Sequence, residues 1–157
     1  MRAIILAAGR GKRLNGLTED KPKCLLELKG RTLLEWQLKA INEAGVEEIA
    51  IVTGYKSNLL KSYKLVEFHN KRWSETNMMS SLICAKSWIS EAPCVISYSD
   101  IFFESEAILG LRKSNAPISI TYDPNWLRLW SQRFEDPLED AETFAIDSKR
   151  KVIEIGQ

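Results

Sequence analysis

The feature that most constrains this chain is an apolar run that leads into a glycine-rich turn near the amino terminus. Residues 3–8 form the run, which is short, β-branched at Ile4 and Ile5, and typical of a buried β-strand. Gly9 and Gly11 follow it, and glycine permits positive φ angles and close approach of the backbone to another molecule. Successive N–H groups in such a turn can converge on an anion. The pattern therefore indicates a strand that ends in an anion-binding loop.

The same loop concentrates positive charge. Its basic side chains are Arg10, Lys12, Arg13, Lys21 and Lys23. A triphosphate needs N–H donors for its oxygens and fixed positive charge for the charge that develops during transfer. The residues alone leave two interpretations open, a phosphate-binding loop or a solvated basic loop, because short glycine patterns also recur without function. The dinucleotide-binding fingerprint is a poor match, since Leu14 stands where its third glycine is expected.

Downstream of the loop, apolar strands alternate with helices. Further strands are predicted at 48–53, 65–68, 94–98 and 118–122, helices at 32–45, 57–64, 77–89 and 104–113, and a late hairpin at 143–147 and 151–155. Thr32 and Glu35 have the spacing of a capping box. Alternation of this kind indicates a largely parallel sheet. We expect an α/β fold, a three-layer Rossmann-like arrangement with helices on both faces of the sheet and a small late hairpin or lid.

Several polar or flexible positions fall where predicted strands end. They are the Gly9 loop, Gly54, the turn at Asn77 and Asp100. Ligands of parallel sheets bind outside the carboxyl ends of the strands. The pattern alone therefore predicts a binding site at that edge of the sheet.

Composition bounds the remaining possibilities. The 157 residues favour a single domain over 1–157, and the net charge of +1 argues against nucleic acid or an anionic membrane as a partner. No apolar run approaches the ~18 residues of a membrane span, and no secretory signal is expected. The three cysteines lack zinc or disulfide spacing, which suits a reducing cytoplasm. The oligomeric state is left open.

Two segments of the loop carry a resemblance to a known family. They read Leu6-Ala7-Ala8-Gly9-x-Gly11-x-Arg13 and Lys21-Pro22-Lys23. Together they resemble the opening of the nucleotidyltransferase superfamily, of the nucleotide-sugar pyrophosphorylase type, and the resemblance extends from Met1 to about Asp100. Within it, the chain is most similar to cytidylyltransferases that act on phosphocholine, phosphoethanolamine or aminoethylphosphonate. Members usually continue well beyond 157 residues, so a chain truncated at its carboxyl end is expected.

The resemblance implies a role for each part of the loop. The backbone of Leu6, Ala7, Ala8 and Gly9 would lie beside the base. Gly11 and Arg13 would hold the β- and γ-phosphates, and Lys23 would stabilise the α-phosphorus as charge builds. Arg13 and Lys23 are therefore the expected catalytic side chains.

Asp100 is the strongest candidate outside the loop. By position alone it is either a magnesium ligand facing a triphosphate or a cap of the following turn. The resemblance implies the first, because the family places its metal-binding aspartate here. A second acidic ligand, expected from a late strand, is not found convincingly, since Asp147 lies in the hairpin pattern.

Asn77, Ser80 and Ser81 form a polar cluster at a predicted helix start. Ordinary capping explains them, and so does recognition of a nucleobase, because an asparagine amide can pair with the edge of a pyrimidine. In the resembled family, the corresponding segment lies beside the base. The nucleotide-binding set therefore includes these three residues.

Trp126 and Trp130 lie four residues apart in a charged loop. They either pack a lid onto the sheet or form an aromatic wall for an ammonium group through cation–π attraction. The nearby acidic side chains of Asp123, Glu139 or Asp140 would add the opposite charge. Phosphocholine-type members use such an arrangement, so the resemblance favours an amino-alcohol acceptor.

The function expected from the sequence is transfer of a cytidylyl group from CTP to a small phosphorylated or phosphono-acceptor such as phosphocholine, with Mg²⁺ as cofactor and pyrophosphate as product. Two alternatives remain open. One is a sugar-1-phosphate nucleotidyltransferase, and the other is a nucleotide-binding fragment without catalysis. The choice between CTP and UTP is also open.

Overall fold

The chain forms two compact units, Met1–Ser119 and Ile120–Gln157, and each is described by itself. The structure, a computed structural model, describes residues 1–139 and 141–156. Asp140, one of the candidate acidic partners of the acceptor, and Gln157 lie outside the described residues. A single domain over 1–157 stays a prediction.

The first unit is built on a parallel sheet. Its strands are β1 Arg2–Ala7, β2 Glu27–Leu28, β3 Arg31–Thr32, β4 Ile49–Thr53, β5 Val66–His69 and β6 Cys94–Tyr98. Four of them form the central sheet in the order β5-β4-β1-β6, with every neighbouring pair parallel. β2 and β3 form a separate antiparallel ribbon. The non-sequential order means that the chain crosses over between parallel neighbours, as the alternating pattern predicts.

Helices fill the connections between the strands. They are α1 Leu33–Glu43, α2 Met78–Ile83, α3 Lys86–Glu91 and α4 Ser105–Arg112, with 3₁₀ turns at Lys12–Thr18, Lys23–Leu25 and Ser57–Tyr63. The capping box at the start of α1 is confirmed, since Thr32 accepts from the Glu35 N–H and the Glu35 carboxylate accepts from the Thr32 N–H. Gly45, with φ of 73°, follows the end of α1. The helix expected at 77–89 is two short helices, α2 and α3.

Alternate residues of the central strands face two separate cores. Ile5 and Ile51 join one core with Leu34 and Ile41 of α1 and with α4. Ile4 and Val52 join the other core, against which side chains of α2 and α3, including Trp88, pack. Because β1 and β4 are buried on both faces, they read as continuous apolar runs in the sequence. The three-layer arrangement predicted from the sequence is confirmed.

The segment 118–122 corrects one expectation. It alternates as a strand would, yet it has no strand conformation, and the Ile118 side chain is 86% exposed. A strand is stable only where a neighbour completes its hydrogen-bond ladder, and no ladder forms with this segment among the described residues.

The second unit contains α5 Trp126–Trp130, a 3₁₀ turn at Pro137–Glu139, and strands β7 Phe144–Ile146 and β8 Val152–Ile155. β7 and β8 pair antiparallel, which confirms the predicted late hairpin. The Tyr122 ring lies 5.3 Å from the Phe144 ring, centroid to centroid, and packs the unit's leading segment onto the hairpin.

Candidate active site

The loop after β1 is shaped by one glycine with a left-handed backbone. Gly11 has φ of 74°, and a Cβ added there would lie 3.2 Å from Cδ of Lys23. The Gly11 carbonyl accepts hydrogen bonds from the Leu14 N–H, at 3.0 Å, and from the buried Thr18 hydroxyl, at 3.2 Å. Glycine is therefore needed at this position for its φ and for the contact with the Lys23 side chain.

Gly9 differs from Gly11, because its backbone does not adopt the positive φ that glycine permits. Its φ is not among the positive angles of the chain, and an added Cβ would meet no atom within 4 Å. The backbone beside Gly9 is therefore open.

Lys23 and Asp100 come together although they are far apart in the sequence. Lys23 Nζ donates to Asp100 Oδ2 at 2.6 Å, and the two side chains are 28% and 36% exposed. Lys23 opens the 3₁₀ turn whose next residue, Cys24, is fully buried in the core. Burial raises the pKa of the Cys24 thiol to about 12, so this anchor is uncharged at neutral pH. Asp100 follows β6 at the carboxyl end of the sheet. The structure thus brings Lys23 and Asp100 into contact. The catalytic role of Lys23 and the metal-binding role of Asp100 stay predictions.

A buried glutamine supports the Asp100 turn, and the sequence analysis did not single it out. Gln37 of α1 is fully buried and donates to the carbonyl oxygens of Tyr98 and Ile101, on either side of Asp100. The available signal was its place between Leu34 and Ile41 on the apolar face of α1. A polar residue in such a stripe needs hydrogen-bond partners.

The other side of the loop is held by the turn after β4. The Tyr55 N–H donates to the Ala8 carbonyl at 2.9 Å, and the Tyr55 hydroxyl donates to the Glu19 carbonyl. A Cβ at Gly54 would lie 2.5 Å from Cβ of Trp73, so this turn requires glycine. Tyr55 and Trp73 were also missed, because their contacts depend on the packing of distant segments.

Basic side chains surround this turn. The Arg10 guanidinium lies 5.7 Å from the centre of the Tyr55 ring, a cation–π distance. Its Nε is buried and has no hydrogen-bond partner among the described residues. Lys56 contacts Asp20 at 3.5 Å. Arg10 as a whole is half-buried, and Arg13, an expected phosphate ligand, lies in the 3₁₀ turn that follows.

The predicted base-recognition cluster is a helix cap in this structure. Asn77 Oδ1 accepts from the Ser80 N–H at 3.1 Å and from its hydroxyl at 3.3 Å. Ser81 is buried and accepts from Asn70 Nδ2 at 2.9 Å. Capping therefore accounts for the contacts of these residues, and contact with a base stays a prediction.

Trp126 and Trp130 begin and end α5 in the second unit. The Arg133 guanidinium lies 5.5 Å from the Trp130 ring centre, so this ring already holds a cation by a cation–π contact. Asp123 accepts from the Asn125 N–H within its own turn. The tryptophans' role as an acceptor wall stays a prediction.

The donor set fits a cation that takes most of its ligands from a substrate. In the described part of the chain, no three acidic, histidine or cysteine side chains cluster as a metal site. Mg²⁺ is commonly bound through one or two carboxylates together with substrate phosphates and water. Asp100 can provide such a carboxylate. Asp147, the late candidate, accepts from the Lys149 and Lys151 N–H groups in the hairpin turn.

None of the helices that the structure describes has both the length and the apolar character needed to cross a membrane.

Comparisons with known proteins all find nucleotidyltransferases. The family model described as MobA-like NTP transferase domain matches residues 3–145. CTP:phosphoglutamine cytidylyltransferase of Campylobacter jejuni is 38% identical over 100% of this chain and 66% of its own length. 2-Aminoethylphosphonate cytidylyltransferase of Lancefieldella rimae is 29% identical over 99% of this chain and 60% of its own length.

A solved structure supports the same grouping. The CTP:phosphocholine cytidylyltransferase of Streptococcus pneumoniae is 31% identical, with a TM-score of 0.58 over 67% of this chain and 49% of that chain. The chain spans less than two thirds of the length of these relatives. Their shared chemistry is transfer from CTP, and their named acceptors differ.

Proposed function

Because the chain belongs to the MobA-like NTP transferase family, we propose that it transfers the cytidylyl group of CTP to a small phosphorylated or phosphono-acceptor. An oxygen of the acceptor attacks the α-phosphorus in line, the bond to the β-phosphate breaks, and pyrophosphate leaves. No covalent enzyme intermediate is needed. Catalysis then depends on positioning and on charge stabilisation, as in other phosphoryl transfers.

The observation that carries this proposal is the Lys23–Asp100 pair at 2.6 Å. It supplies a cation and a carboxylate at the carboxyl end of the sheet, where ligands of parallel sheets bind. Lys23 is partly exposed, so its ammonium can exchange the Asp100 carboxylate for a phosphate oxygen. There it would stabilise the charge that builds on the α-phosphate.

The loop supplies the contacts for the leaving group. The left-handed backbone at Gly11 turns the chain so that its N–H groups and the Arg13 guanidinium can hold the β- and γ-phosphates. The buried Arg10 Nε, which has no hydrogen-bond partner in the described part of the chain, supports anion binding in this loop. Mg²⁺ held by Asp100 would neutralise charge on the phosphate oxygens.

The nucleotide is proposed to be CTP because the relatives named above are cytidylyltransferases. The backbone of residues 6–9 would lie beside the base, where Gly9 leaves open space. Asn77 would recognise the pyrimidine edge through its amide nitrogen, since its oxygen is used in the helix cap. Discrimination against UTP would then depend on this one side chain and on the backbone.

The acceptor is proposed to be an amino-alcohol phosphate or phosphonate, of which phosphocholine is one example. The relatives' names cover phosphoglutamine, aminoethylphosphonate and phosphocholine, so the exact acceptor is the finer part of the proposal. The contact between Arg133 and Trp130 supports the view that this ring attracts cations. The three thiols are unpaired, which fits a reducing compartment such as the cytoplasm.

Two assays test this proposal in sequence. Calorimetry with CTP and UTP, each with and without Mg²⁺, measures nucleotide binding, and release of pyrophosphate with each candidate acceptor measures turnover. Binding of CTP without turnover would favour the second candidate, a nucleotide-binding fragment without catalysis. The lack of a cluster of three acidic, histidine or cysteine side chains among the described residues supports this candidate. Turnover with a hexose 1-phosphate but not with phosphocholine would favour a sugar nucleotidyltransferase.

Asp100→Asn is the sharpest variant, because it keeps the side-chain shape and removes the charge. We expect the dependence of turnover on Mg²⁺ to be lost together with most of the activity. Glu43→Gln is a matched control, since Glu43 also pairs with a lysine, Lys39, at 3.6 Å on the surface of α1. Turnover of Asp100→Asn within a few-fold of the original would reject the role of this carboxylate.

A further inference from the structure

Gln37 is a fully buried polar side chain in the middle of an apolar helix face. Its neighbours on that face, Leu34 and Ile41, belong to the core beneath the sheet. A buried amide without hydrogen bonds destabilises the fold, whereas an apolar side chain of similar size would pack here without needing partners. The presence of glutamine therefore calls for an explanation other than core filling.

Among the described residues, the side-chain hydrogen bonds of Gln37 all go to one short stretch of chain. Its Nε2 donates to the Tyr98 carbonyl at 2.8 Å and to the Ile101 carbonyl at 2.7 Å. Its Oε1 accepts from the Ser97 hydroxyl at 3.1 Å, and this serine is also buried. The amide thus contacts β6 before the turn and the chain after it, with Ser99 and Asp100 lying between.

This arrangement holds a turn of irregular backbone, which packing of Phe102 on Trp36 and of Phe103 on the core also anchors. Residues 99–104 have no helix or strand conformation. The Ser99 N–H donates to the Leu6 carbonyl at 3.2 Å, which continues the pairing of β6 with β1 by one residue. Beyond that point, the bond from Gln37 to Ile101 bends the chain back toward α1, and the Asp100 carboxylate faces Lys23 at 2.6 Å.

We propose that Gln37 is a positioning residue, which acts through the Tyr98 and Ile101 carbonyls to set the direction of the Asp100 carboxylate. The inference rests on the proposed function of Asp100 as the carboxylate that holds a divalent cation with the nucleotide. Groups that orient a metal ligand typically contribute about 10- to 100-fold in metal affinity. The capping box at the start of α1 fixes the helix from which Gln37 reaches the turn.

The test compares Gln37→Met, which keeps the length of the side chain and removes its amide, with Ser97→Ala and Asp100→Asn. Mn²⁺ is the probe, and electron paramagnetic resonance of free Mn²⁺, compared with a titration of CTP alone, measures its affinity for the protein–CTP complex without any turnover. We expect Gln37→Met to weaken Mn²⁺ binding by about 10- to 100-fold. Ser97→Ala removes one bond at the far side of the amide and should have a smaller effect in the same direction.

Kinetics provide a second readout. Because the defect lies in metal affinity, activity of Gln37→Met should recover as Mn²⁺ is raised, with the KM for CTP at saturating Mn²⁺ nearly unchanged. Asp100→Asn should not recover. A role in packing alone would lower the thermal midpoint and leave the Mn²⁺ titration of the folded protein unchanged, and that result would overturn the inference.

The two hypotheses fail in different ways. If Asp100→Asn binds Mn²⁺ and turns over like the original protein, the proposed role of Asp100 is wrong. If Asp100→Asn is impaired and Gln37→Met titrates normally, the role of Asp100 stands and the role of Gln37 does not. Should Gln37→Met fail to fold, Ser97→Ala decides, because unchanged Mn²⁺ affinity in that variant contradicts the inference.

Discussion

A basic side chain lies at each end of the central sheet, and the two have different partners. At the amino end, the Arg2 guanidinium contacts Glu91 at 2.5 Å and Glu48 at 3.2 Å, and it lies 4.4 Å from the centre of the Trp88 ring. These bonds, to Glu91 first and Glu48 second, raise the pKa of Arg2. At the carboxyl end, Lys23 pairs with the one carboxylate of Asp100 within a loop rich in other basic side chains.

The two cations differ in the number of groups that hold them. Arg2 is the less exposed, at 18% against 28% for Lys23, and its planar group meets two carboxylates and a ring at once. Lys23 has a single flexible ammonium with a single anionic partner. Under the proposed function, an incoming phosphate would replace that partner, whereas the Arg2 guanidinium is held by two carboxylates and a ring.

The largest effect is expected when the cation at the carboxyl end is removed, in Lys23→Met. We expect the rate of pyrophosphate release to fall by roughly 100- to 1,000-fold, since the loss removes charge stabilisation from the transition state. The free energy of unfolding should change little, because Asp100 is partly exposed and stays hydrated. Steady-state kinetics and urea unfolding measure the two effects, and a rate within a few-fold of the original would place Lys23 outside the chemistry.

Gly54→Ala tests whether the carboxyl end is as tightly packed as the amino end. The new methyl group would lie 2.5 Å from Cβ of Trp73 and 2.7 Å from the Ala8 carbonyl oxygen. We expect a loss of about 1–3 kcal/mol in the free energy of unfolding, as for other overpacked sites. Gly110→Ala in α4 is the control, because its Cβ meets nothing within 4 Å and should stabilise the helix by about 0.5–1 kcal/mol. Equal unfolding curves for the two variants would contradict this packing.

Arg2→Met is the reciprocal of the Lys23 variant. Its two ion pairs and its ring contact are lost together, so the urea midpoint should fall while turnover of the folded protein is retained. High salt should narrow the gap between variant and original, because it screens surface charges. If fully folded Arg2→Met lost turnover, the amino end of the sheet would contribute to the site at the carboxyl end, and the expectation would be wrong.

The thiols at the two ends of the sheet resemble each other, because both are at least partly shielded from solvent. Burial raises the pKa of Cys24, next to Lys23, to about 12 and that of Cys94, opposite Arg2, to about 11. At pH 8 an alkylating reagent should therefore label the exposed Cys84 first and leave both others largely unmodified. Comparable labelling of all three in the native protein would contradict this burial.

The same shifts predict a decline of stability in base. Above pH 9 the unfolded chain loses the Cys24 proton, while the native protein keeps it up to a pKa of about 12. The unfolded state then binds fewer protons, so the free energy of unfolding falls as the pH rises, for Cys24 on the order of 1 kcal/mol between pH 8 and pH 10. Urea unfolding at both pH values measures this, and Cys24→Ala should show a shallower decline.

Local patterns account for what the sequence predicted well. The apolar run of β1, the capping box at Thr32 and the glycine after α1 each depend on neighbours a few residues away. The meeting of Lys23 and Asp100 was foreseeable because parallel strands bring their carboxyl ends to one edge. That rule predicts the edge of the sheet at which the two residues lie. The direct contact between their side chains, at 2.6 Å, can be known only from the structure.

Features that depend on distant packing were missed or wrong. Ile118 to Tyr122 alternates correctly, but alternation does not create a partner strand. The burial of Gln37 is explained by its contact with Tyr98, 61 residues away. The sequence placed Gly54 at a strand end, but its need for glycine depends on Trp73, 19 residues away. In sequence, Gln37 is only one polar residue in a helix, and the reason for its burial appears once β6 is in position.

The separation of 77 residues between Lys23 and Asp100 has a consequence for synthesis. The basic loop leaves the ribosome with β1, long before β6 has been translated. Closing so long a stretch of chain costs entropy that the pairing of β6 with β1 must recover. A nascent chain therefore carries its cationic turn without the matching carboxylate, and the complete ion pair forms only after the fourth strand of the central sheet has emerged.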